Sequence, residues 1–247
     1  MKLLVVNPNT TASMTAKIGE AARSVAGAGV EIVAVTSPMG PASIEGFYDE
    51  AFAVPGLIAA IADGQRAGAD AAIVACFDDT GLDAARSFGN IPVVGICEAA
   101  LVTAGQIAKR IAVVTTLARS VVPVEELVRR YGYAERVRVS ACDVAVLALE
   151  EPGSGARSKL EAEIARAVAG GAEAVVLGCA GMADLAKALS ARFGLPVVDG
   201  VAAAVKQAEA LVSLGLATAK TGAYATPSPK AYAGMLAPFA PESDGRT

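Results

Sequence analysis

The chain has 247 residues, enough for one large domain or two ordinary lobes with an ample core, and 54% of them are hydrophobic. Its net charge is −4 with no basic stripe, which argues against nucleic acid as a partner. Histidine is absent, which excludes a Ser-His-Asp triad, a His-assisted cysteine and His-ligated zinc or iron; acid–base chemistry falls to Cys, Asp, Glu, Lys or Tyr.

In chain order, residues 2–7 read as an apolar strand that runs into a turn-and-cap cluster, Asn7-Pro8-Asn9-Thr10-Thr11. The apolar run is too short for a signal peptide. No stretch of about 18 apolar residues escapes a charge or a turn, so no membrane span is expected and the protein is expected in the cytoplasm. A helix over 11–26 and a strand over 30–36 follow. Residues 37–48 form a loop rich in Pro, Gly and Ser, of a kind that often serves α/β proteins as a lid and is also common as a plain connector. A helix over 49–67 leads to a strand at 71–76, and Asp78-Asp79-Thr80-Gly81 reads as the cap of a short helix before a strand at 91–96.

The second half repeats the plan: strand 110–115, helix 118–131, strand 136–142, a loop containing Pro152-Gly153-Ser154-Gly155, helix 157–169, strand 173–178, a helix from 182, strand 196–198 and helix 201–214. After residue 216 the pattern weakens, and Pro227, Pro229 and the polar end 242–247 suggest a packed arm with a loose tip. Strand–helix alternation predicts an α/β fold of two pseudo-symmetric lobes, each a mainly parallel sheet flanked by helices, with the active site in the cleft between them. The expected division puts 1–97 plus about 205–247 in the first lobe and about 98–204 in the second.

The two halves echo each other. Gly68-Ala-Asp-Ala-Ala-Ile-Val-Ala-Cys76 aligns with Gly171-Ala-Glu-Ala-Val-Val-Leu-Gly-Cys179 without a gap, four of nine positions being identical. Ile91-Pro-Val-Val-Gly95 recurs as Leu195-Pro-Val-Val-Asp199 after almost the same spacing. A period this long marks duplication of a supersecondary block, not a solenoid.

Cys76 and Cys179 thus end equivalent strands, where open parallel sheets bind ligands. Backbone N–H groups and a helix terminus there are expected to favour a thiolate. Two thiols facing each other across a cleft can take a proton from one face of a carbon and deliver one to the other, a two-base racemase needing neither metal nor cofactor. A lone cysteine at a strand end is more often a small buried hydrophobe. The pairing, with diverged flanks (Phe77-Asp78-Asp79 against Ala180-Gly181-Met182), favours chemistry. Cys97 and Cys142 lack these features and read as packing residues. With no C-x-x-C spacing, all four cysteines are expected to be free. Residues 7–11, 78–80, 115–116 and 178–181 are expected to face the cleft and to offer donors to a polar substrate. Capping is the competing reading for Asn9, Thr10, Asp78 and Asp79. A carboxylate at Asp78 turned toward Cys76 would raise that thiol's pKa.

Val5-Val-Asn-Pro-Asn-Thr10, Ser43-Ile-Glu-Gly46, Ala75-Cys-Phe-Asp-Asp79, Val114-Thr-Thr116, Leu147-Ala-Leu-Glu150, Leu177-Gly-Cys-Ala-Gly-Met182 and Pro196-Val-Val-Asp-Gly200 together resemble the hydantoin/allantoin racemase family, a branch of the aspartate/glutamate racemase superfamily. The resemblance implies a cofactor-independent homo-oligomeric enzyme with Cys76 and Cys179 as the catalytic pair. It implies racemisation of 5-monosubstituted hydantoins or allantoin by proton exchange at C5. The ring would be held near Phe77, Asp78, Gly178, Ala180 and Gly181 and by Asn9, Thr115 and Thr116. The C5 substituent would point to the loop carrying Ser43, Ile44 and Phe47. Phe47 departs from the Ile-Glu-Gly-His expected in many relatives, which leaves the choice of substituent open. Two alternatives stay beside this reading. An aspartate/glutamate-type racemase or maleate isomerase would need a cationic grip, for which only Arg119 offers itself. A non-catalytic binder would have no use for two opposed thiols.

Overall fold

A computed structural model describes residues 1–151 and 153–241. Two four-stranded parallel sheets carry the chain, in orders β2-β1-β3-β4 and β6-β5-β7-β8. The strands of the first are β1 (Lys2–Asn7), β2 (Glu31–Thr36), β3 (Ala71–Val74) and β4 (Val93–Gly95). Those of the second are β5 (Ile111–Thr115), β6 (Val137–Ala141), β7 (Ala174–Gly178) and β8 (Val197–Asp199). The strand order is therefore the same in both halves, as the sequence echo requires.

The echo has a local cause. Gly68 and Gly171 both sit at positive φ, +80° and +88°, in the turn that feeds β3 and β7. A β-carbon is disfavoured there. Two residues on, the Asp70 carboxylate accepts from the Lys2 N–H (2.7 Å), and the Glu173 carboxylate accepts from the N–H groups of Lys109 and Arg110 (2.7 and 3.0 Å). Each repeated acid pins the start of the neighbouring central strand.

Side chains alternate along each strand and so feed separate cores. Leu4, Val6, Ala72 and Val74 pack outward under α2 (Phe47–Arg66) and α3 (Leu82–Phe88). Ala112, Val114, Val175 and Leu177 pack under α6 (Ala156–Ala169) and α7 (Ala186–Phe193). The opposite faces, with Leu3, Val5 and Ile73 from one sheet and Ile111, Val113 and Val176 from the other, share a single central core. Its helical layer is α1 (Ala12–Val25), α4 (Ile96–Ile107), α5 (Val121–Arg130) and α8 (Gly200–Ser213). Each of these fully buried aliphatic side chains contributes about 1.5–3 kcal/mol.

Two of these helices cross over. α4 leaves the first sheet and packs on β7 and α5, whereas α8 leaves the second sheet and packs on β1, β3, β4 and α1; the two also pack on each other. α4 was not among the expected elements. Its buried positions Ile96, Cys97, Ala99, Ala100, Leu101 and Ala104 leave little polar face for a helical period to show. Other boundaries shift as well. The strand expected at 71–76 stops at Val74, so Cys76 stands in the loop beyond it, and the helix expected from 182 opens with a 3-10 turn over Ala180–Leu185 before α7. After α8 the chain runs back along the first half. Lys220 Nζ donates to the carbonyls of Arg86 and Ser87, and the Tyr224 hydroxyl to Asp83 (2.9 Å). The polar tip at 242–247 and Pro152 lie outside the described residues.

Candidate active site

Both sheets point their carboxyl ends at one cavity of ≈ 420 Å³, measured with its open mouth. Cys76 and Cys179 line it together, one from each half, both partly exposed and both free thiols. Each sulfur accepts from the backbone N–H two residues on, Asp78 for Cys76 and Gly181 for Cys179. The Thr80 hydroxyl adds a donor at 3.3 Å from Cys76 Sγ.

Those donors do not make thiolates of the resting cysteines, contrary to expectation. Burial outweighs them and the Asp78 charge adds to it, so Cys76 is held well above the usual thiol range. Burial likewise pushes Cys179 up to about 12, against the Gly181 N–H. Asp78 lines the cavity together with both thiols and does not cap the helix that follows, which the sequence left open. Its own carboxyl is pushed up to about 7, first by burial and then by Glu50 and Asp79.

Of the residues expected at the substrate, Asn9, Ile44, Phe77 and Asp78 line the cavity from the first half, and Thr115, Thr116, Gly178 and Ala180 from the second. The turn after β1 is built on Asn7, whose side-chain amide donates to Asn9 Oδ1, Thr15 Oγ1 and the Thr11 carbonyl (2.8, 3.0 and 3.2 Å). Asn9 Oδ1 also accepts from the Thr11 N–H, so its side chain is held in place while lining the site. Thr10 and Thr11 in turn hold the loop, through the carbonyls of Pro41 and Ala42 (3.0 and 2.7 Å). At its far end Glu45 Oε1 accepts from the Val146 N–H of the second half (3.2 Å), which keeps Ile44 buried against the cavity.

Three expected residues stand elsewhere. Ser43 does not line the cavity, because the loop turns Ile44 inward in its place. Gly181 lies behind Cys179, as its N–H partner. Phe47, 57% exposed, lines a neighbouring cavity instead. Met14, Ser120 and Val146 line the site without having been singled out; Ser120 lies four residues beyond Thr116, Val146 stands in the loop after β6, and no motif marks Met14. Among the described residues no Lys or Arg lines it, and Arg119 is exposed. Among the described residues no group of three or more Cys, Asp or Glu could hold a metal.

Asp79 has a different task from its neighbour and from the expected cap. The helix that follows, α3, starts at Gly81 with no side-chain cap. The Asp79 carboxylate instead accepts from the N–H groups of Cys97 and Glu98 (3.0 and 2.9 Å), the first turn of α4, and from the Tyr131 hydroxyl just beyond α5 (2.7 Å). It occupies the place a side chain at Gly95 would fill: a β-carbon there would lie 2.4 Å from Asp79 Oδ1. In the second half the equivalent of Gly95 is Asp199, which caps its own helix through Val201 and Ala202 (2.9 Å each). Cys97 and Cys142 are buried in the central and second-half cores, as expected for packing residues.

Comparison with known proteins places this arrangement. A hydantoin racemase from Rhizobium meliloti is 51% identical over 95% of this chain and 98% of its own length. A hydantoin racemase from Pseudomonas sp. (strain NS671) is 45% identical over 97% of each. The solved allantoin racemase from Klebsiella pneumoniae superposes with a TM-score of 0.95 at 44% identity, over 98% of this chain and all of that one. The fold is that of a racemase, an isomerase built from two lobes. The model of the Asp/Glu/hydantoin racemase family matches residues 3–208, and the chain belongs to that family.

Proposed function

We propose that the protein racemises 5-monosubstituted hydantoins, allantoin among them, by two-base proton exchange at C5 with Cys76 and Cys179. One observation carries this: two free thiols, from corresponding strand ends of a doubled fold, line a single cavity. In one direction the thiolate of one cysteine takes the C5 proton and the thiol of the other gives its proton to the opposite face; the reverse direction exchanges the roles. The charge formed passes from C5 into the adjoining ring carbonyl. The hydroxyls of Thr116 and Ser120 and the backbone N–H groups of the cavity wall supply donors there. Burial that raises a thiol's pKa also makes its thiolate the stronger base toward a weakly acidic C–H. No cofactor enters these steps.

A cavity wall with no Lys or Arg among the described residues disfavours dicarboxylates as substrates. We also place the enzyme in homo-oligomers in the cytoplasm. Tyr48 and Phe52, 78% and 59% exposed with ring centroids 4.9 Å apart, form an apolar patch that supports assembly.

The test is decay of optical rotation of single-enantiomer hydantoins in deuterium oxide, with deuterium at C5 followed by NMR. Cys76→Ala and Cys179→Ala are each expected to lower racemisation by at least roughly 10²-fold, as for loss of an acid–base group. Full racemase activity in either variant overturns the two-thiol assignment.

A further inference from the structure

Resting on the hydantoin reading, we infer that a second cavity beside the thiols receives the C5 substituent and selects substituents bearing N–H donors, cationic ones above all, over apolar ones. The cavity, ≈ 610 Å³, lies among the first turn of α2, residues 78–84 and α5, with Phe47, Glu50, Asp78, Thr80, Glu126 and Arg130 in its wall. Asp78 lines both cavities. Thr80, whose hydroxyl is one hydrogen bond from Cys76 Sγ, lines the second. Asp78 and Thr80 thus stand between the Cys76 thiol and the second space, so a C5 substituent that extends past Asp78 enters it.

The wall is short of donors. Glu50 Oε1 is buried and has no hydrogen-bond partner. The half-buried Asp78 carboxyl lines both cavities and has no hydrogen bond to a donor among the described residues. Glu50, Asp78 and Glu126 line this one cavity; burial and then Glu126 raise the pKa of Glu50 against the Arg130 charge, and burial and then Glu50 raise that of Asp78. The cation in the wall, Arg130, pairs with Asp83 at 3.6 Å. Buried carboxylate oxygens without donors are costly, and an N–H group brought by a ligand relieves that cost. The carboxylates do not form a metal-binding group, so the chemistry fits an ammonium, guanidinium or ureido group at the end of a short chain.

The test compares kcat/KM for 5-(4-aminobutyl)hydantoin and 5-butylhydantoin, read as deuterium uptake at C5, with allantoin as a neutral donor-bearing third substrate. The aminobutyl compound is expected to exceed the butyl compound by roughly tenfold or more, the size of one charge-assisted hydrogen bond, with allantoin between them. In Glu50→Gln and in Glu126→Gln the ratio is expected to fall toward unity. Because both substrates are read on one preparation, the ratio does not depend on how much of a variant is folded. A ratio near unity in the unaltered enzyme, or one that neither substitution changes, overturns the inference and leaves the racemase standing. Failure of every hydantoin to exchange overturns the racemase reading, and this inference with it.

Discussion

The two halves cap their crossing helices differently, and exchanging one solution for the other tests whether the halves are equivalent. α8 is capped by its own Asp199 at φ −93°, ψ 128°; α4 begins after Gly95 at φ −89°, ψ 142°, and borrows Asp79. The backbones match, so an aspartate at 95 can adopt the conformation of Asp199 once the Asp79 carboxyl is gone. Asp79→Gly alone leaves the N–H groups of Cys97 and Glu98 and the Tyr131 hydroxyl without their acceptor. Each such donor costs about 1–3 kcal/mol. Glycine recovers about 1 kcal/mol, because Asp79 sits at φ +45°. The net loss is about 3 kcal/mol, which lowers Tm by about 6–12 °C for a chain of this size. Gly95→Asp alone places a β-carbon within 2.7 Å of three Asp79 atoms and sets two carboxylates together, so it should be more damaging still. In Gly95→Asp/Asp79→Gly both amides regain an acceptor and only Tyr131 stays unpaired, a loss of about 1–2 kcal/mol. Thermal unfolding by circular dichroism, with hydrogen exchange at the Cys97 and Glu98 amides, reads the cycle. A double variant less stable than Asp79→Gly would refute the equivalence.

Two further outcomes follow from the site. Asp78 keeps its proton in the fold up to about pH 7, against an ordinary value of 3.8, so its contribution to stability is complete below pH 3.8 and is lost as pH rises through about 7. Tm measured from pH 5 to 8 should accordingly decline more steeply in the unaltered protein than in Asp78→Asn, and parallel profiles would refute this. Cys97→Ala and Cys142→Ala, which remove core thiols at a cost of about 1 kcal/mol each, should lower Tm slightly and leave racemisation at its original rate; loss of exchange in either would move the chemistry away from Cys76 and Cys179.

Much of this was legible in residue order because the same physics acts twice. Short apolar runs become two-sided buried strands, and a turn of positive φ followed by an acid recurs at Gly68 and Gly171, so the duplication shows as text and marks out both cysteines. Asn9, Asp78, Thr115 and Thr116 could be placed at the cleft since they sit in or beside the loops that follow central strands, whereas Ile44 and Phe77 were placed there by the resemblance to the racemase family. What stayed hidden depends on contacts across the chain. Asp79 looks like a local cap, and only the fold shows that it serves a helix eighteen residues on, filling the space that Gly95 leaves. α4 is hidden by being apolar on most sides. Phe47 stands three residues after Ile44, yet the start of α2 turns it to the second cavity. The thiols looked poised as thiolates because backbone donors can be anticipated from a loop, whereas the burial that outweighs them cannot.

The exchange of α4 and α8 also bears on how such a chain is made. A ribosome releases the first sheet early, but the inner surface of β1, β3 and β4 is completed by α8, residues 200–213, which emerge near the end of synthesis. Vectorial folding, in which an amino-terminal domain finishes before the next begins, is closed to this topology. Leu3 and Val5 await a cover encoded almost two hundred residues later, and a nascent chain stopped anywhere before it holds no finished lobe.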